Sequence, residues 1–540
     1  MKIIVAEKVS AAAFEVLTSE PDWQVIGPDA AGTRLREEIR DADALLVRSA
    51  VKVDAALLEN AGKLRVIGRA GIGVDNIDLE AATRKGIAVM NTPGANAVAV
   101  AEHTFSLALA LARHLCRANE LMHAGKWEKK SLQGSELRGK TLGILGLGRI
   151  GMEVARRARA FAMRVLAHDP FVSAEVAREE GITVLPLEEV LASADYVTLH
   201  MALTPQTTKL INAESLRKMK KGACLINCAR GELVDEAALA SALQSGYLAG
   251  AGLDVFAEEP PKSSTLFALS NVIATPHIAG STHEAQEAVG IQIAVQVKEF
   301  LLRGVMQNAV NVPSVSHEEY LELQPYIVLA ERMGSFLAQA SEGSPRAISL
   351  RYSGRIGDVK TQLVRNAAVA GVLNAVLDEK ANLVNAAALA EARGIQVREA
   401  AAKPRPSGGS AESVITLELG TSAEHHVVKG AVLHGDSPRL LAVDGIDVEA
   451  PLQHNLIYLR NRDVPGVIGR VGTLLAEHGI NIANFSLGRE ELVARAAESA
   501  QAAQVREAVA LVHVDSEVPD AVLRELRTIA AVKLAKAIRV

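Results

Sequence analysis

Gly143-Ile-Leu-Gly-Leu-Gly-Arg-Ile-Gly151, followed one helix later by Val165-Leu-Ala-His-Asp169, decides the fold of this chain. It reads as strand, tight glycine turn, helix, second strand and then an acid at that strand's end. Gly146 permits the turn, Gly148 lets the backbone approach a pyrophosphate, and Gly151 lets helix and strand pack closely. The helix N-terminus offers unpaired N–H groups and a positive dipole end to that pyrophosphate. Asp169 lies 18 residues past Gly151 (169 − 151), where a carboxylate accepts from a ribose 2′-hydroxyl and repels a 2′-phosphate. The expected dinucleotide is therefore NAD rather than NADP.

Working outward, about 140 residues precede the fingerprint, although a dinucleotide-binding chain commonly opens with it. They read as an α/β unit of their own, with strands at Lys2–Val5, Ala44–Val47 and Leu64–Ile67. A stretch from Ala97 to Ala124 reads as one long helix, apolar on nearly every face, which implies burial between domains or subunits. A second, about Thr282 to Arg303, would return the chain to the first unit. Two such crossings make two lobes with a cleft between them, where small ligands bind.

At 540 residues the chain holds several cores, since single cores seldom exceed about 250–300 residues. Hydrophobic residues at 49% supply those cores, and a net charge of −5 without like-charge runs gives no reason to expect nucleic-acid or membrane partners. Three cysteines, Cys116, Cys224 and Cys228, are too few for a disulfide framework and lack the company of a metal site. No signal peptide is evident and no apolar run is long enough to span a bilayer, so a cytoplasmic location is expected.

Three short motifs follow the glycine loop: Asn227-Cys-Ala-Arg-Gly231, Leu253-Asp-Val-Phe-Ala-Glu-Glu-Pro260 and Thr275-Pro-His-Ile-Ala-Gly280. Each lies near a strand end, and in an open parallel sheet the carboxyl ends of strands face the ligand crevice. Arg230, Glu259 and His277 are thus expected to converge. Hydride exchange between NAD and a 2-hydroxy acid needs a base for the hydroxyl proton, an orienting carboxylate for that base, and a cation for the substrate carboxylate. His277 suits the first role, Glu259 the second and Arg230 the third.

In this order these motifs resemble the D-isomer-specific 2-hydroxyacid dehydrogenases, and within them the branch acting on phosphoglycerate. Val47-Arg-Ser-Ala50, Gly68-Arg-Ala-Gly-Ile-Gly-Val-Asp-Asn76, Asn91-Thr-Pro-Gly-Ala-Asn96 and Gly125-Lys-Trp-Glu128 extend the likeness over the first lobe. The resemblance implies Arg230, Glu259 and His277 as the catalytic set. It places Gly146, Gly148, Arg149, Ile150, Gly151, Asp169, Cys228, Ala229, Arg230, Asp254, His277 and Gly280 around the cofactor. It assigns Arg48, Ser49 and Asn96 to the substrate and calls for no metal. Arg48 and Arg69, at ends of first-lobe strands, also suit a phosphate dianion. Two positions depart from the family pattern: His200-Met-Ala-Leu203 stands where His-Thr-Pro-Leu is common, and Ile72 replaces a threonine found in some relatives.

The tail opens with His454-Asn-Leu-Ile-Tyr-Leu-Arg-Asn-Arg-Asp-Val-Pro-Gly466, a strand and a turn into a helix, with further strands at 481–487 and 508–514. It resembles an ACT domain, the small amino-acid-sensing module. That likeness implies Asp463 for the ammonium of an L-serine effector and Asn481 for its hydroxyl. Glu490 to Glu507 reads as a helical insertion, and Lys403 to Ser410 as a loop. Residues 317–450 resemble the allosteric substrate-binding domain of longer relatives.

The expected fold is α/β: two Rossmann-like lobes with parallel sheets, an α+β intervening domain and a C-terminal ACT-like βαββαβ domain. The expected division is 1–96 with 285–312 as the substrate lobe, 97–284 as the NAD-binding lobe, 313–450 as the intervening domain and 451–540 as the regulatory one. The expected activity is NAD-dependent oxidation of 3-phospho-D-glycerate, in a homodimer or homotetramer. Alternatives are a related dehydrogenase for glycerate or 2-hydroxyglutarate, or an NADH-sensing co-regulator.

Overall fold

The computed structural model describes all residues except 32–33, 314, 316, 359, 378–379, 402–412, 435 and 491–505. The 403–410 loop and most of the 490–507 insertion expected from sequence therefore lie outside the described residues.

The first lobe is a parallel sheet of β1 (Lys2–Val5), β2 (Gln24–Ile26), β3 (Ala44–Val47), β4 (Val66–Arg69) and β5 (Ala88–Met90), in the order β2-β1-β3-β4-β5. Its inner strands are buried on both faces, as runs such as Ala44-Leu-Leu-Val47 require, while the edge strand β2 is partly exposed. β4 begins at Val66, two residues later than the sequence pattern suggests, so Arg69 ends the strand. The topological switch lies between β1 and β3, which brings Glu7 and Arg48 together at their carboxyl ends.

The second lobe is a seven-stranded parallel sheet of β6 (Thr141–Leu145), β7 (Arg164–His168), β8 (Thr183–Val184), β9 (Tyr196–Leu199), β10 (Cys224–Asn227), β11 (Gly250–Leu253) and β12 (Val272–Ala274). The order is β12-β11-β10-β9-β6-β7-β8. Chain direction across the sheet reverses between β6 and β9, so the crevice opens where Gly146 and His200 leave their strands.

Two helices cross between the lobes. The apolar stretch from Ala97 is not one helix to Ala124: it breaks at His114, which takes a left-handed φ of 52° between helices Ala97–Arg113 and Leu115–His123. The Ala112 carbonyl, free at that break, accepts the Ser135 N–H of the returning chain at 2.9 Å. The first helix buries its apolar face against the second-lobe sheet, with Leu107 over Gly252. The second buries no residue. The helix His283–Arg303 is N-capped by Thr282 and packs on the first lobe, Ile293 and Val297 lying over Gly68 where a Cβ would stand 2.8 Å from each.

Beyond it, a mixed six-stranded sheet comprises β13 (Pro345–Ser353), β14 (Gln396–Ala401), β15 (Val414–Thr421), β16 (His425–Leu433), β17 (Ser437–Val443) and β18 (Ile446–Pro451). Helices His317–Ala340 and Gln362–Val376 cover it. The tail forms an antiparallel sheet of β19 (Asn455–Arg462), β20 (Ile482–Arg489), β21 (Glu507–Val514) and β22 (Val532–Arg539), in the order β20-β21-β19-β22. Two helices, Val467–Glu477 and Asp520–Thr528, complete the βαββαβ arrangement. Its sheet is buried on both sides. Ile457 and Leu459 pack with the helices, while Leu456, Tyr458 and Leu511 share one core with the 317–340 helix. Phe336 meets Tyr458 edge to face, with ring centroids 5.4 Å apart.

Candidate active site between two lobes

The glycine loop is built as its sequence requires. Gly146 has φ +95° and a Cβ on it would sit 2.6 Å from the His200 carbonyl oxygen, across the switch point. A Cβ on Gly151 would run into the carbonyl of Gly146, so the helix can seat against the turn only with glycine there. Gly148 is the opposite case. It caps the helix Arg149–Ala160, and a Cβ there would meet nothing within 4 Å. Its constraint is space kept for something else beside a helix N-terminus, as a pyrophosphate needs. Asp169 lies beside the loop, accepting the N–H groups of Leu147 and Phe171, each at 2.8 Å. A carboxylate has capacity for more than these two bonds.

These features open onto a cleft of about 1090 Å³ between the lobes, lined by Ile150, Cys228, Ala229, Arg230, Glu259 and His277 from one side. Arg48, Ser49, Arg69 and Asn96 line the other. Three buried side-chain atoms without a hydrogen-bond partner among the described residues belong to its lining: Arg69 Nε, Asn96 Oδ1 and His200 Nδ1. Buried polar atoms in folded proteins are mostly paired, with protein, water or a bound group, and a ligand in this cleft can pair these three. The residues present fit a dinucleotide and an anionic substrate together.

His277 Nδ1 and Glu259 Oε2 are 2.7 Å apart. A carboxylate only accepts, so Nδ1 carries a proton, and in the neutral imidazole Nε2 is the acceptor. The second Glu259 oxygen accepts from Phe256 N–H at 3.1 Å and fixes the carboxylate. Arg230 enters from the loop after β10 and reaches Asp75 of the first lobe. Arg69 lies beside it. Burial first, and then the charge of Arg230, lower the pKa of Arg69 to about 10.

The first-lobe contribution rests on groups that spacing alone did not single out. Glu7 accepts the backbone N–H groups of Arg48, Ala50 and Val51 at 2.8–3.1 Å. Asn76 donates to the carbonyls of Arg48 and Val51. Together they shape the turn presenting Arg48 and Ser49. The position of Glu7 after β1, beside the switch point, was the available signal.

Asp254, expected around the cofactor, holds the turn that carries His277. Its carboxylate is fully buried, accepting from Thr275 Oγ1–H at 2.6 Å and from the N–H groups of Ile278 and Ala279 at 2.8 Å. His103, on the helix Ala97–Arg113, completes the set through Thr275 Oγ1 at 3.0 Å. Burial alone would raise the Asp254 pKa; His103, Thr275 and the amides outweigh it, and the net shift is downward. The Arg149 side chain donates to the Pro93 carbonyl of the first lobe. Cys228 lines the cleft as a neutral thiol, its pKa pushed up to about 12 by burial. His200, at the departure from the family pattern, is buried and held neutral, with a pKa of about 3. Gly280 stands against Asn96, where a Cβ would lie 2.9 Å from its Nδ2.

In the tail, Asp463 pairs with Arg489 at 3.5 Å and Asn481 donates to Asp515 at 2.6 Å. The two expected effector residues are engaged with separate partners. Among the described residues no helix is long and apolar enough to cross a membrane, and no cluster of metal-ligating side chains occurs.

Three family models match in chain order. Residues 105–279 match the NAD-binding domain of D-isomer specific 2-hydroxyacid dehydrogenases, 322–444 the D-3-phosphoglycerate dehydrogenase intervening domain, and 455–531 the ACT domain. The chain is 40% identical over 534 residues to D-3-phosphoglycerate dehydrogenase of Methanocaldococcus jannaschii, covering 99% of this chain and 98% of that one. It is 37% identical over 528 residues to the Bacillus subtilis enzyme of the same name, covering 98% and 97%. Among solved structures, D-lactate dehydrogenase from Aquifex aeolicus, complexed with NAD and lactic acid, superposes on 58% of this chain and all of its own. The TM-score is 0.52 and the identity 31%. With the catalytic lobes, the intervening sheet and the regulatory tail all matched along nearly the full length, the chain belongs to the D-3-phosphoglycerate dehydrogenase family.

Proposed function

We propose that this chain oxidises 3-phospho-D-glycerate to 3-phosphohydroxypyruvate with NAD, the first step of the phosphorylated route to L-serine. The observation that carries the reading is the His277–Glu259 pair at 2.7 Å, facing one cleft with Arg230, Arg48 and Arg69. Bound NAD supplies the hydride acceptor. Gly146, Gly148, Ile150, Gly151 and Asp169 hold its phosphates and ribose, with Cys228, Ala229 and Gly280 bordering it. His277 Nε2 takes the proton of the C2 hydroxyl, and Glu259 stabilises the imidazolium that results. Arg230 binds the substrate carboxylate and opposes the charge developing on the C2 oxygen. Arg48 and Arg69, with Ser49 and Asn96, take the phosphate end, where planar forks match its oxygens.

The assay is NADH loss on addition of 3-phosphohydroxypyruvate. Steady turnover is expected; none would sink the reading. The same assay with L-serine tests feedback through Asp463 and Asn481, and inhibition lost in Asp463→Ala is the supporting result. The domain division given above, a cytoplasmic location and assembly into a homodimer or homotetramer complete the proposal. Assembly is supported by the outward Leu115, Met122 and Trp127, the last 80% exposed; light scattering at the monomer mass would overturn it.

A further inference from the structure

Arg230 leans across the cleft onto a residue of the opposite lobe. Its Nε–H donates to Oδ2 of Asp75 at 3.0 Å, and its Nη2 lies 3.0 Å from the same oxygen. On the other flank its Nη1 donates to the carbonyl of Ala229 at 2.7 Å. A guanidinium has five N–H bonds. The two hydrogen bonds use one N–H on Nε and one on Nη1, and at least one N–H remains on each terminal nitrogen. That remaining pair is what a carboxylate accepts side by side. The fork is gripped on both flanks and its outer edge is left free.

The loop around it is shaped for this grip. A Cβ on Gly73 would collide with Nη2 of Arg230, so the guanidinium can keep this position against the Asp75 turn only with glycine there. Among the other acids nearby, Glu7 is spent on three backbone amides and Glu259 on His277. Asp75 faces the cleft with a side chain still 67% exposed.

Resting on the assignment of Arg230 to the substrate carboxylate, we propose that Asp75 is a positioning residue for the reaction. From the opposite lobe it holds the Arg230 fork at the angle the substrate requires, and only while the lobes are closed. Hydrogen bonds weaken steeply beyond about 3.5 Å, so an opening of even ~1 Å at this point releases the guanidinium. Orientation of the cation, and with it the rate, becomes conditional on closure.

Steady-state kinetics with 3-phosphohydroxypyruvate and NADH test this in the full-length protein, using Asp75→Ala, Asp75→Asn, Arg230→Lys and the Arg230→Lys combinations. Misplacing an orienting group costs about 100-fold. Asp75→Ala should therefore lose roughly 30- to 100-fold in kcat/KM, chiefly in kcat, with NADH affinity and thermal midpoint unchanged. Asp75→Asn, which keeps an acceptor oxygen, should recover part of that loss yet stay several-fold below wild type. In the Arg230→Lys background either substitution should cost nothing more, because a lysine has no fork to orient.

Wild-type kinetics in Asp75→Asn would overturn the proposal. So would losses that multiply with Arg230→Lys, or a lower KM at unchanged kcat, which would make Asp75 a mere competitor of the substrate. If Asp75→Ala fails to fold, the Asn series decides alone. An inactive wild type would sink the functional reading itself; an active wild type with an impaired Arg230→Lys and a normal Asp75→Asn sinks only this inference.

Discussion

The backbone N–H of His277 donates to the carbonyl of Asp254 at 2.8 Å, while the Asp254 carboxylate holds the next two amides of the same turn. An exposed imidazole thus owes its position to a wholly buried acid, and His277 keeps a left-handed φ of 52° because the turn on either side is tied down. Asp254→Asn puts an amide N–H₂ where an acceptor is needed. Buried donors left unpaired cost about 1–3 kcal/mol each. A kcat lower by roughly tenfold or more and a lower thermal midpoint are expected together, and enzyme assay with calorimetry checks both.

His277→Ala separates chemistry from architecture. The imidazole is half exposed and, among the described residues, its side chain hydrogen-bonds to Glu259 alone, so the fold should survive its removal. Turnover should fall by about 10²–10⁴-fold, the range of general-base contributions. NADH binding, followed by nicotinamide fluorescence, should persist. A near-normal rate would refute the proton-transfer role.

Two glycines of the loop should fail in different ways. Gly146→Ala forces a side chain onto φ +95° and against the His200 carbonyl, at a cost of roughly 2–5 kcal/mol in stability. Gly148→Ala meets no neighbour, so its thermal midpoint should match wild type while NAD affinity falls. Denaturation and NADH titration of the two variants, compared side by side, check the contrast. A Gly148→Ala variant binding NAD normally would show that the space beside the helix N-terminus is not the pyrophosphate's.

Asp169 both discriminates and builds, since it anchors Leu147 of the glycine loop. Asp169→Ala should therefore weaken NAD as well as improve NADP relative to it, shifting the ratio of kcat/KM values at least tenfold. Improved NADP use with unchanged NAD affinity would mean that the Leu147 bond contributes nothing to the loop.

A pH-dependent term sits between the intervening sheet and the tail. His426 Nδ1 lies 2.8 Å from Asp444 Oδ2 and its Nε2 3.1 Å from Glu424, with Arg460 of the tail 3.5 Å from that same Asp444 oxygen. The hydrogen bond from Asp444 is the largest cause raising the His426 pKa above 6.5. A raised pKa stabilises the fold fully below the unfolded value and loses that contribution as pH rises through the folded one. The thermal midpoint of His426→Gln should thus fall furthest below wild type at pH values under the ordinary imidazole range and converge on it as pH rises through the raised value of the folded protein. A gap that widens with pH would contradict the assignment.

How much of this was legible beforehand differs residue by residue. Gly146, Gly148 and Gly151 could be read because a turn, an approach and a packing contact each leave a local mark. Arg230, Glu259 and His277 could be read because parallel strands deliver their following loops to one edge. The orientation of Asp254 could not, since sequence spacing says where a strand ends but not whether the next carboxylate faces the cleft or its own loop. Asp75 and Glu7 escaped for a related reason: their partners lie 155 and 41 residues away, and no periodicity encodes such a pairing. The break at His114 was hidden because the residues around it favour helix; a backbone bond to Ser135, far along the chain, decides it.

The double burial of the tail's sheet bears on how this protein can be cut. Tyr458, Leu456 and Leu511 face Phe336 and its helix, not solvent, so the regulatory module is no pendant to be unplugged at residue 453. A truncated chain would carry a raw apolar scar along the 317–340 helix, and the severed tail would carry its mirror image. Loss of activity after such a cut would report a wounded scaffold as readily as a missing regulator.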